Sequence, residues 1–119
     1  MSKNIFETVD YNGCPVHCTK SQWYGHIVTR HPELKHNIEA VKDTIHEPDV
    51  VHESNQKEDC TVSFKSKSAC LTSYKNCIVK VVVNYTKEND EKIGEVSTVH
   101  LVKTVKGGIG DEIYRKPQD

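Results

Sequence analysis

Two histidines, an arginine and a glutamate fall within eight residues, as His26, Arg30, His31 and Glu33 in the stretch "WYGHIVTRHPEL". An imidazole moves a proton near neutral pH, and a guanidinium offers a planar fork to phosphate oxygens. Together they make a minimum kit for cutting RNA without a metal. A base takes the 2′-hydroxyl proton, an acid protonates the leaving 5′-oxygen, and a cation steadies the pentacoordinate phosphate. The same residues allow a plainer reading, in which Glu33 pairs with Arg30 and the group is a polar corner of a small fold. His36, His46, His52 and His100 are scattered in the sequence and receive no role. No paired-carboxylate motif of a magnesium nuclease is present, and "KGGIG" lacks the lysine and hydroxyl that complete a phosphate-cradling loop.

The elements that must position these residues follow from pattern. Residues 4 to 19 read as a β-hairpin turned by Asn12-Gly13, since both residues tolerate positive φ. Pro15, lacking an amide donor, points to an edge strand. A short helix is expected from Ser21 to Arg30, capped by Ser21 or Thr19, with Trp23 and Ile27 on its buried face and His26 and Arg30 together on a neighbouring one. Gly25 leaves space beside His26. A second helix is expected from Pro32 to His46, with Leu34, Ile38, Val41 and Ile45 as an apolar stripe and Pro48 beyond its end. From Asp49 on, "DVVHE", "DCTVSF", "ACLTSY", "CIVKVVVNYT" and "EVSTVHLVKTV" read as strands, with Val79, Val81, Val83 and Tyr85 on one face and Lys80, Val82 and Asn84 on the other. "KENDEK" is a charged turn, and the tail returns as a short strand near Ile113 and Tyr114. The expected class is α+β: an N-terminal β-hairpin, two helices, then an antiparallel meander sheet, in a single domain over 1–119.

Composition narrows the partners. Mean hydropathy is −0.63, no apolar run approaches the roughly 20 residues of a membrane span, and the first residues lack a signal-peptide core. A soluble, cytoplasmic protein with reduced thiols is expected from these features and from five cysteines. A metal held by Cys14, His17 and Cys18 is the weakest reading, because "CPVHC" has the wrong spacing for a zinc knuckle and no second pair follows; two thiols on one face of a strand is preferred, and no cofactor is expected. The formal net charge is −1, yet residues 32–59 carry eight acids against three lysines, whereas residues 60–86 carry four lysines and no acid. A local basic face can bind a polyanion even so. The alternative is that these lysines only solubilise strands and guard edges.

The pattern Trp-x-x-His-Ile-x-x-Arg-His-Pro-Glu, carried by Trp23, His26, Ile27, Arg30, His31, Pro32 and Glu33, resembles the phage-associated branch of the barnase–EndoU–colicin–RelE-like nuclease fold. A second helix leading to Pro48-Asp49-Val50-Val51 and a run of strands continue the resemblance over roughly residues 14 to 116. It implies a small metal-independent ribonuclease of toxin or mobile-element type, with His26 as general base or acid, Arg30 as phosphate clamp and His31 as second proton carrier or orienting group. Lys80, Lys103 and Lys106 would line the RNA path, and Thr104, Tyr114, Arg115 and Lys116 are the candidates for the late-strand and tail positions. RNA is the expected partner, with a cognate inhibitor protein as another that the resemblance allows. The alternative is a catalytically inactive RNA- or protein-binding module on the same scaffold.

Overall fold

The computed structural model describes residues 3–117. It is an α+β fold with one seven-stranded mixed sheet and two helical segments. The strands are β1 (Asn4–Val9), β2 (Pro15–Thr19), β3 (Val50–Ser54), β4 (Cys60–Ser66), β5 (Ile78–Glu88), β6 (Glu91–Val102) and β7 (Ile109–Arg115). Their order across the sheet is β1-β2-β6-β5-β4-β3-β7.

β1 and β2 form the expected antiparallel hairpin, and Asp10 organises its turn. Its carboxylate accepts from the amides of Asn12 at 2.8 Å and Cys14 at 2.9 Å, and Gly13 takes φ 82°. The same carboxylate, buried, accepts from the Tyr85 hydroxyl at 2.7 Å, which welds the turn to β5. Pro15 is not at an edge. It opens an internal strand, where its missing amide breaks no ladder inside the strand.

β3, β4, β5 and β6 are the expected antiparallel meander, and β7 returns beside β3. The sheet as a whole is mixed, because β2 joins β6 in parallel through Val16↔Gly94 and His17↔Glu95. "KENDEK" turns β5 into β6 with Asn89 and Asp90 at φ 52° and 67°. "ACLTSY" is a loop. Only Leu71 is buried there, and the amide and hydroxyl of Thr72 both donate to Asn37 Oδ1, at 2.8 and 3.1 Å, so a side chain takes the place of a ladder.

The helices cover one face. Helical residues 20–30 form α1, capped by Thr19, whose hydroxyl accepts from the Gln22 amide at 3.0 Å. Its middle, Trp23–Ile27, is π-helical: the Val28 amide reaches back to the Trp23 carbonyl. Trp23 and Ile27 are fully buried, as the pattern required. The second helix, α2 (Ile38–His46), starts later than the pattern suggested. Pro32–Leu34 is a separate 3-10 turn. The buried Asn37 separates the two pieces, donating from Nδ2 to the Glu33 carbonyl at 2.8 Å while holding Thr72. Leu34, Val41 and Ile45 still share one buried stripe, with Ile38 at its margin.

The main core lies between these helices and the sheet face bearing Val79, Val81, Val83 and Tyr85. Cys18 is buried in it and Cys14 packs against its rim, so both thiols face one way and strand alternation turns His17 to the other face. Burial pushes the Cys18 thiol up to about 12. Among the described residues, no helix covers the opposite sheet face. It has a smaller apolar patch of Val50, Val62 and Phe64. No helix among the described residues is long and apolar enough to cross a membrane.

Candidate functional site

The site forms where β2 stops. Among the described residues, no strand pairs with β6 on that side beyond Glu95, and α1 lies along the edge instead, with Gln22 Nε2 donating to the Ser97 carbonyl. The β5–β6 register slips between Val82 and Val83, which leaves Ser97 as a bulge. After the bulge, Lys80 and His100 stand directly opposite each other on the helix-free face.

The exit of α1 brings the helix residues to this pair. His31 leaves helical geometry at φ −132°, ψ 73°, ahead of Pro32. Its ring then meets that of His100 edge-on, with centroids 4.5 Å apart. Glu33 Oε1 lies 3.5 Å from His31 Nδ1. Thr98 Oγ1 lies 3.4 Å from His100 Nε2. Partial burial, then the adjacent His31, Lys80 and Arg30, hold His100 below the usual histidine range, with Glu33 opposing. His100 is therefore a neutral imidazole at neutral pH, able to accept a proton, with two cations beside it.

Of the expected residues, Arg30, His31 and Lys80 come together here. His26 sits half-buried on the π-helical turn, with no hydrogen bond, ion pair or ring contact to another described residue. Gly25 faces open space, as expected. Lys103, Thr104 and Lys106 are exposed in the loop between β6 and β7, which folds back so that Lys80 Nζ donates to the Gly107 carbonyl at 3.1 Å. Tyr114, Arg115 and Lys116 lie elsewhere, on and after β7: Tyr114 stacks on Tyr11 with centroids 4.4 Å apart, Arg115 pairs with Glu112, and the Lys116 amide donates to the Asp49 carbonyl. Lys65, from the basic tract, is tied to Asp43 of α2 at 2.9 Å.

His100 is the residue that sequence reasoning missed. It occupies a polar register position between Val99 and Leu101, which marks it as facing away from the main core. Nothing in its own strand shows that it meets His31.

From this corner a groove of about 220 Å³ runs over the helix-free face, between the β6 bulge and the turn after β3. Among the described residues, its lining includes Lys57, Lys80, Ser97 and Thr98 and no acidic side chain. Among the described residues, no group of three or more His, Cys, Asp or Glu gathers to hold a metal ion. No protein-family model matches the chain, and no curated protein or solved structure matches it either.

Proposed function

We propose that this chain is a small metal-independent ribonuclease-like protein on the barnase–EndoU–colicin–RelE-like scaffold, cleaving RNA by 2′-hydroxyl attack. The observation that carries the reading is the His31–His100 pair beside Lys80, at the end of an acid-free groove. His100 is the base in place of His26. It takes the 2′-hydroxyl proton; the 2′-oxygen bonds to phosphorus, the bond to the 5′-oxygen breaks, and a 2′,3′-cyclic phosphate remains. Lys80 and Arg30 balance the charge that builds on the phosphate. Glu33 holds the His31 ring, and His31 holds that of His100.

With centroids at 4.5 Å, no phosphate fits between the rings. The two imidazoles work from one side, and the proton for the 5′-oxygen comes from Lys80 across the strand pair. The same closeness favours a second reading, a binding module that holds RNA without cutting it. Incubation of the purified chain with total RNA in EDTA tests both. Fragments ending in 2′,3′-cyclic phosphate are expected, with His100→Ala slowing their appearance by about 10²–10⁴-fold, the usual contribution of a general base. RNA left intact by the unaltered chain, but retained by it on a filter, would leave the binding module.

A further inference from the structure

The groove beside the histidine pair has a construction that the phosphate chemistry does not use. Its floor is apolar, made by Val62 and Val82. One wall is polar through hydroxyls: the bulge lets the successive residues Ser97 and Thr98 both line it, where regular alternation would send one to each face. The other wall is Gln56 with Gly107 and Gly108. Those glycines have φ 85° and 71°, a conformation that carries the backbone tightly past Gln56; a Cβ on Gly108 would lie 3.3 Å from the Gln56 amide carbon. The Gln56 side-chain amide makes no hydrogen bond to another described residue. It therefore presents an NH₂ with two free N–H donors and a free carbonyl acceptor at the lip of a slot.

An apolar floor, a free amide on one wall, hydroxyls on the other and lysines at hand suit a flat heterocycle that carries an anionic phosphate. The volume, about 220 Å³, lies below that of a drug-sized ligand site and suits a single ring system. Lys80 lines the groove and also faces His100, so an occupant of the slot has its phosphate next to the histidine pair.

We infer that the groove is a nucleobase-recognition pocket, seating one base of an RNA strand on Val62 and Val82, with Gln56 as the residue that reads its edge. The inference rests on the proposed function in taking the strand to be RNA, and it adds which nucleotide position is selected and by what. Arg and amide side chains discriminate bases by paired donors and acceptors, each good pair separating right from wrong base by about fivefold or more.

The test titrates the isotope-labelled full chain in EDTA with each of the four nucleoside 3′-monophosphates, following amide resonances by NMR. One base is expected to bind at least about fivefold tighter than the weakest of the others, with shifts centred on Val62, Val82 and the Gly107-Gly108 turn. Gln56→Ala, at an exposed position, is expected to reduce that preference below about twofold. Val82→Trp, which fills the floor, is expected to weaken all four nucleotides by tenfold or more while the rest of the spectrum stays native. Equal affinities, absent binding, or a preference unchanged by Gln56→Ala would overturn the pocket. A parallel RNA digestion separates the two ideas. Selective binding without cleavage removes catalysis and leaves the pocket. Cleavage with equal nucleotide affinities removes the pocket and leaves catalysis.

Discussion

His100 and Asp10 illustrate how single side chains are set by their surroundings. Burial and three cationic or ionisable neighbours weaken proton binding by His100 in the folded state, while the unfolded chain protonates at the ordinary histidine value near 6.5. The unfolded state thus binds more protons as pH falls below about 6.5, and stability is lost from there down to the folded value. Urea melts at pH 7.5 and 5.0 should show a smaller drop for His100→Gln than for the unaltered chain; an equal drop would mean that His100 is not desolvated. Asp10 is a different case. Its buried carboxylate satisfies two turn amides and the Tyr85 hydroxyl, and burial raises that phenol further above its usual range. Asp10→Ala leaves these donors stranded and is expected to cost about 3 kcal/mol, read from denaturant unfolding, in line with charge-assisted bonds lost at a buried site. Lys92 sits 4.6 Å over the Tyr85 ring and closes the same corner.

Two elements depart from regular geometry, and both departures aim residues at the site. The π-helical turn in α1 and the bulge at Ser97 meet through the Gln22 hydrogen bond. Gly25 lies in that turn, without positive φ, and a Cβ added there would meet nothing within 4 Å. Gly25→Ala should therefore raise stability by about 0.5–1 kcal/mol in a thermal melt, the usual gain inside a helix. Gly94 on β6 is the converse. A Cβ there would come within 2.8 Å of Val83 Cγ1, 2.9 Å of Tyr85 Cε1 and 3.0 Å of Val16 Cγ2. Gly94→Ala should cost about 1–3 kcal/mol by overpacking and loosen the β2–β6 junction. Much of this scale was legible in the chain. Valine alternation on β5, the Asn-Gly turn and the stripe of α2 depend on neighbours in sequence, and they stand where the pattern placed them. What escaped the pattern depends on distant partners. Asn37 splits the second helical stretch because Thr72 claims its side-chain oxygen, and Pro15 is internal because β6 docks beside its strand. The candidate site was legible by half for the same reason: Arg30 and His31 share a local motif, while His100 joins them through sheet topology alone.

For the molecule as a whole, positive charge gathers around the groove although the formal total is −1. Lys65 is spent on Asp43, but Lys57 and Lys80 line the groove and Lys103 and Lys106 stand in the adjoining loop. Binding of single-stranded RNA should weaken with salt at a log–log slope of about −3, the value for roughly four phosphates; fluorescence anisotropy at several salt concentrations measures it, and a slope near zero would mean that these lysines touch no phosphate. The parallel junction of β2 and β6 has a consequence for the order of events during synthesis. Cys14, at the head of the hairpin, rests its thiol against the carbonyl of Lys92, 78 residues later. A ribosome needs roughly 4–16 s to cover that interval. Throughout it the N-terminal strands have no third strand to lean on, and a two-stranded ribbon alone is marginal in water. His31 is made early and its ring partner late, so the nascent protein carries only half of its imidazole pair until residue 100 has been translated.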